Sequence, residues 1–341
     1  MNILVIADAK LPVPPTEYGG AERIISYLCD GLRARGHCVD LMAGPGSQNY
    51  GGKVWLHYPP SRNRLSRAGR KLRFQFLSLR AVCGADVVVN FGRLDYLHSV
   101  LRSDTPLVCC FQNPVPQSEV DWLLARRKCR LALVGVSHAQ IAERLPNELF
   151  TVIHNCTDPE RMAFRVEPDA EPYLVFLGRL TENKGADTAM RVARRCGIKL
   201  IIAGNVSDEP GGREFFEREI KPNLSEQVKW IGPVGDTSKL NLLGGARALL
   251  FPIRWNEPFG IVMAESLACG TPVIAMRCAS TPEVIDEGRT GFLADNEDGL
   301  VAAVARIEEI DRAECRRIAV QRFSPQRLVG DYLRCIEKAR A

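Results

Sequence analysis

The sequence predicts an α/β protein built as two doubly wound, Rossmann-like domains facing each other across a cleft. Three observations carry this reading. The chain has 341 residues, more than one ordinary domain of roughly 100–200 residues needs. Short apolar runs rich in Val, Ile and Leu alternate with amphipathic stretches almost throughout, as parallel strands covered by helices do. The alternation restarts once, beyond a polar, proline-bearing segment at 151–172.

Taken in order, strands are expected at 3–7, 39–43, 86–90, 107–111 and 131–136. The series resumes at 151–154, 173–177, 199–203, 228–231, 248–252 and 273–275. Amphipathic periodicity marks helices at 21–35, 185–196 and 259–269. The linker divides the chain into domains at 1–158 and 159–323. From 324 to 341 it reads as a helix with no strand after it. Doubly wound sheets take their ligands at the carboxyl ends of their strands.

At 46% hydrophobic and 25% charged, the composition suits a globular protein with an ample core. No apolar run reaches the ~20 residues of a membrane span. The start, MNILVIADAK, has neither the basic region nor the cleavage site of a signal peptide, so a cytoplasmic protein is expected. The 12 cysteines form no C-x-x-C pair, and Cys29, Cys109 and Cys269 sit in apolar stretches. They read as reduced thiols rather than zinc ligands or bridges. The net charge of +5 is uneven: residues 1–158 hold 19 basic and 13 acidic residues.

The sharpest motif is Asn256-Glu257-Pro258-Phe259-Gly260-Ile261, which follows an apolar strand and enters a helix. Pro258 suits a first helical turn, and Gly260 would let a ligand approach the backbone. The amides of Phe259, Gly260 and Ile261 would then meet a phosphate or sugar oxygen at the positive helix end. Glu257 and Glu265 supply acceptors for hydroxyls. A second motif, Gly178-Arg179-Leu180-Thr181-Glu182-Asn183-Lys184-Gly185, sets two cations after a strand where a diphosphate could be neutralised. Gly185 after Lys184 excludes a Walker loop. A third, Thr16-Glu17-Tyr18-Gly19-Gly20-Ala21-Glu22, follows the first strand without the G-x-G-x-x-G of a nicotinamide dehydrogenase.

These segments resemble the large retaining glycosyltransferase group of GT-B fold called family 4. The resemblance runs through YGGAE, VGVSHAQIAERL, VIHNCTD, FLGRLTENKG, the stretch from VKWIGPVGD to CGTPVIA, and TPEVIDEGRTGFL. It implies that Arg179 and Lys184 hold the donor diphosphate, Glu265 the ribose and Glu257 the donor sugar. It further implies that the backbone at Phe259, Gly260 and Ile261 contacts sugar and phosphate, with Gly19 and Gly20 closing from the first domain. Glu22, Gln112 and Asn113 fall on the acceptor or donor-sugar side, and the resemblance implies that the helix at 324–341 crosses back to the first domain. Gln112 stands where many members carry a histidine, and His154-Asn155-Cys156 replaces the usual Pro-Asn-Gly turn.

The expected activity is therefore transfer from a nucleoside diphosphate sugar, with UDP favoured, to an acceptor hydroxyl of a saccharide, lipid-linked or natural-product type. By resemblance the configuration is retained. There is no D-x-D triplet, so neither metal nor cofactor is expected. An epimerase of the same fold and a silent nucleotide-sugar binder are the alternatives. His98 reads as structural. The stretch at 61–76 holds six arginines or lysines and no acid. Leu65, Ala68, Leu72, Phe76 and Leu79 share one helical face there, expected either to pack on the first sheet or, across 62–80, to meet an anionic membrane at its inner face. Nucleic acid is not expected as a partner.

Overall fold

A computed structural model describes residues 1–16, 19–59 and 63–341, with only the backbone given for 64–68 and 71. Glu17 and Tyr18 of the glycine loop, and Arg62 of the basic stretch, lie outside the described residues. The chain forms two compact units, one of Met1–Asn155 with Pro325–Ala341, the other of Cys156–Ser324.

In the first unit the order is β1 (Asn2–Ile6), α1 (Gly20–Ala34), β2 (Cys38–Ala43), β3 (Gly51–Leu56), α2 (Arg64–Val82), β4 (Val87–Asn90), β5 (Leu107–Cys110), α3 (Gln117–Arg126), β6 (Leu131–Gly135), α4 (His138–Ile141) and β7 (Phe150–Val152). Among the described residues these strands form one parallel sheet ordered β3-β2-β1-β4-β5-β6-β7. The central strands are buried along nearly their whole length, which is why they read as continuous apolar runs.

The second unit continues with β8 (Tyr173–Leu177), α5 (Ala186–Cys196), β9 (Lys199–Ala203), α6 (Gly212–Phe215), β10 (Val228–Trp230), α7 (Asp236–Gly245), β11 (Ala248–Phe251), α8 (Ile261–Ala268), β12 (Val273–Met276), α9 (Thr281–Val284), β13 (Gly291–Ala294), α10 (Glu297–Ala305) and α11 (Arg312–Phe323). Its strands are also parallel, ordered β10-β9-β8-β11-β12-β13. Buried Arg312 ties this unit's loops together, donating to the carbonyls of Arg165, Ala246 and Gly244 and to Thr271 Oγ1 at 2.6–2.9 Å. The last helix, α12 (Pro325–Arg340), belongs to the first unit and buries Leu328, Val329, Tyr332 and Ile336. Gly31 of α1 admits it: a Cβ there would stand 2.3 Å from Val329 Cγ2.

Two strands, β3 and β13, were not expected. Each carries a glycine where neighbouring backbone comes close. A Cβ on Gly52 would lie 2.5 Å from Val39 O, and one on Gly291 1.8 Å from Val273 O. Such glycines weaken the β-branched pattern that marks a strand. His98 follows a short 3-10 turn rather than sitting in a helix, and its ring meets Trp122 edge-on at 5.6 Å. The 12 cysteines are free and eight are buried; burial pushes the Cys109 thiol up to about 12.

The inward reading of the basic helix is corrected. α2 packs through Phe74, Ser78, Ala81 and Val82, whereas Leu72, Phe76 and Leu79 are 72%, 59% and 54% exposed. The helix carries two apolar stripes on opposite sides, and the one used for packing was not the one expected. No helix among the described residues is long and apolar enough to cross a membrane.

Candidate functional site

In the second unit the strand order reverses between β8 and β11. Loops leaving these two strands therefore flank the topological switch point, where open parallel sheets take ligands. The loop after β8 carries Arg179 and a 3-10 turn at Glu182–Lys184. The loop after β11 carries Trp255 and Glu257 and ends at Gly260, the cap of α8. Topology thus joins two motifs far apart in sequence.

Lys184 Nζ makes an ion pair with Glu257 Oε2, and both side chains are mostly buried. Trp255 Nε1 donates to the same oxygen at 2.9 Å, and its ring centroid lies 4.8 Å from the Lys184 ammonium. A cation held by a carboxylate and an aromatic face is fixed in direction. Nothing in the sequence pattern singled out Trp255; its place one residue from the motif was the available signal. The loop is further tied by Arg254, whose amide donates to Asn183 O at 2.8 Å and whose guanidinium pairs with Asp187. Burial pushes the Asp187 carboxyl up, but hydrogen bonds from Arg254 and Arg191 outweigh it and hold the group below its usual range.

The start of α8 differs from expectation in two respects. The helix begins at Ile261, so Pro258 precedes it by three residues instead of occupying its first turn. Gly260 has φ 77°, and a Cβ there would meet Met263 Cε at 2.8 Å and Phe251 Cζ at 3.0 Å. The missing side chain makes room for the protein's own core rather than for a ligand. Phe259 is buried against Phe323, with centroids 5.7 Å apart, and its carbonyl accepts from Ser280 Oγ at 3.0 Å. The amides of Gly260 and Ile261 make no backbone hydrogen bond among the described residues. They are donors available at a positive helix end.

Glu265, one turn into α8, is 6% exposed and receives Lys239 Nζ of α7 at 2.5 Å on Oε1. Lys239 lies in no motif, and sequence reasoning missed it; a lysine beside Leu240, Leu242 and Leu243 was the only hint. Arg179 does not share a partner with Lys184. It pairs with Glu209, in the loop after β9. Beside this pair a cleft of about 360 Å³ opens between the turn at 181–183 and the segment at 209–215.

The remaining candidates lie in the first unit. Gly19 packs within its own loop, a Cβ there falling 2.6 Å from Pro15 Cβ, and Gly20 opens α1. Glu22 stands in that helix's first turn, its carboxyl raised above the usual range by burial and by the Asp8 charge. Asp8 pairs with Arg93 at 2.7 Å. Gln112 Oε1 accepts from Asn155 Nδ2 at 2.9 Å, and exposed Asn113 gives its carbonyl to Gln140. Arg327 of α12 donates to the carbonyls of His154 and Asn155 at 2.6 and 3.0 Å.

Two family models match consecutive parts of the chain: Glycosyltransferase Family 4 over residues 18–161 and Glycosyl transferases group 1 over residues 158–322. The chain belongs to glycosyltransferase family 4. Among curated relatives, this family 4 chain is 31% identical over 191 residues to a glycogen synthase of Mycobacterium tuberculosis, covering 53% of this chain and 44% of the relative. It is 30% identical over 199 residues to a D-inositol 3-phosphate glycosyltransferase of Saccharomonospora viridis, covering 53% and 46%. The matched stretch spans less than half the length of those relatives. Its fold is the GT-B fold. AviGT4, a glycosyltransferase involved in avilamycin A biosynthesis, superposes with TM-score 0.74 at 23% identity, covering 99% of this chain and 98% of that one. Anabaena HepE, solved with UDP and glucose, gives 0.76 at 17%, covering 99% and 100%.

Proposed function

We propose that the protein transfers a glycosyl group from a nucleoside diphosphate sugar, specifically a UDP-sugar, to a hydroxyl of an acceptor. The observation that carries this is the Lys184–Glu257–Trp255 cluster beside the open amides of α8 at the switch point of the second sheet. Positive charge from Lys184, Arg179 and the amides of Gly260 and Ile261 opposes the negative charge that develops on a departing diphosphate. Because the chain itself supplies these charges, the reading requires no divalent ion. Glu257 keeps Oε2 on Lys184 and Trp255, so Oε1 is its acceptor for a sugar hydroxyl. Glu265, held through Oε1, offers its second oxygen to the ribose. Retention of configuration follows from the family resemblance. The uridine preference is supported by HepE, a relative in fold that was solved with UDP and with UDP-glucose.

Calorimetric titration of the full chain in EDTA with UDP, GDP and ADP tests this reading. Micromolar binding of UDP that is lost in Lys184→Ala and Glu265→Ala is expected. A folded protein that binds none of the three would overturn the donor site. Epimerised rather than transferred sugar would reassign the reaction.

A further inference from the structure

We propose that the outward face of α2 docks on an anionic phospholipid bilayer. The inference rests on the first unit alone and is independent of the donor-site reading. Leu72, Phe76 and Leu79 recur at helical spacing and stand 72%, 59% and 54% exposed. The stripe that holds the helix to its unit, Phe74, Ser78, Ala81 and Val82, lies on the opposite side. In the sequence, Leu65 and Ala68 continue the same helical spacing. One exposed leucine needs no explanation, but an aligned row of large apolar side chains marks a contact surface.

The charge around the row identifies the occupant. α2 carries Arg64, Arg67, Arg70, Lys71, Arg73 and Arg80, with no acidic residue anywhere from 61 to 82. Arg80 lies over the Phe76 ring at 5.6 Å, and Arg70 and Arg73 lie over Tyr58 at 5.8 and 5.5 Å. Tyr58 is itself 41% exposed. An apolar stripe flanked by arginines and an aromatic ring matches the layering of a bilayer surface, with acyl chains at the centre and phosphates at the rim. A second copy of the chain fits worse, since a symmetric contact would set six cations of one helix against six of the other. A nucleic acid would meet the arginines but leave the apolar row without a partner.

The test is sedimentation of the full chain with vesicles of phosphatidylcholine alone or with about 30 mol % phosphatidylglycerol, the anionic lipid supplying the attraction. Binding to the anionic vesicles and little to the neutral ones is expected. The triple variant Leu72→Gln, Phe76→Gln, Leu79→Gln removes only outward side chains and should keep its circular dichroism and thermal transition. Its partition coefficient should fall on the order of 100-fold, given what apolar burial contributes. Arg73→Gln with Arg80→Gln should lower binding about tenfold and flatten its salt dependence. Three results would overturn the proposal. The wild type could stay in solution with anionic vesicles. The triple variant could bind them as the wild type does. The triple variant could convert a dimer to a monomer while vesicle binding stays unchanged.

Discussion

Lys184 and Glu257 neutralise each other in the free protein, so a diphosphate arriving at Lys184 finds a cation already placed. Lys184→Ala should cost about 10²–10³-fold in kcat, the usual loss when one donor to developing charge is removed. Steady-state rates with the cognate sugar nucleotide would show it. Arg179 starts from a different position, because Glu209 occupies its guanidinium. Glu209→Gln should therefore tighten nucleotide binding a few-fold in calorimetry; weaker binding would mean that Glu209 helps hold the ligand. Lys239 answers buried Glu265. Lys239→Met leaves that carboxylate without its cation, and should lower the melting temperature and weaken nucleotide binding by tenfold or more. The double variant with Glu265→Gln should regain stability without regaining affinity, and a double-mutant cycle separates the two.

His57 gives a pH dependence. Burial pushes its imidazole below 6.5, outweighing the bond from Nε2–H to Ala7 O at 3.1 Å. Above that pH both folded and unfolded chains hold it neutral. Below it the unfolded chain takes a proton that the folded unit resists, so stability falls as the solution is acidified from about pH 6.5. Urea midpoints across that range should slope less in His57→Gln.

At the scale of elements, the start of α8 is the place where a single methyl would matter. Gly260→Ala combines a left-handed backbone with contacts at 2.8 and 3.0 Å to Met263 and Phe251. About 1–3 kcal/mol of destabilisation is expected from conformation and crowding together. Nucleotide affinity should fall with it, as the Gly260 and Ile261 amides lose their aim. Elements were legible where their pattern was unmixed. Tyr173–Leu177 and Lys199–Ala203 contain the apolar runs YLVFL and LIIA and match the expected bounds. Gly52 and Gly291 hid two strands because only the folded sheet reveals the neighbouring backbone they accommodate. α2 misled because periodicity finds an apolar stripe but does not say which of two will turn inward. At the site, the cations and glutamates were legible from residue type and order. The pairings of Glu265 with Lys239 and of Arg179 with Glu209 were not, since each joins segments that only tertiary folding brings together.

For the whole molecule, α12 is the informative element. It buries Leu328, Val329, Tyr332 and Ile336 in the first unit, against a helix that made room for it at Gly31. Deleting residues 325–341 should lower the melting transition of the first unit and leave that of the second, with its nucleotide binding, nearly unchanged. Differential scanning calorimetry would separate the two.

The same helix sets an order of assembly during synthesis. The first unit's sheet leaves the ribosome before the second unit, yet the helix that packs on it is translated only after that unit. The second unit, an insertion between Asn155 and Pro325, has all its strands and helices in hand before that. A nascent chain stalled with Ser324 clear of the exit tunnel should carry a protease-resistant second unit beside a cleavable first one, and resistance of the first should arrive only once α12 has emerged.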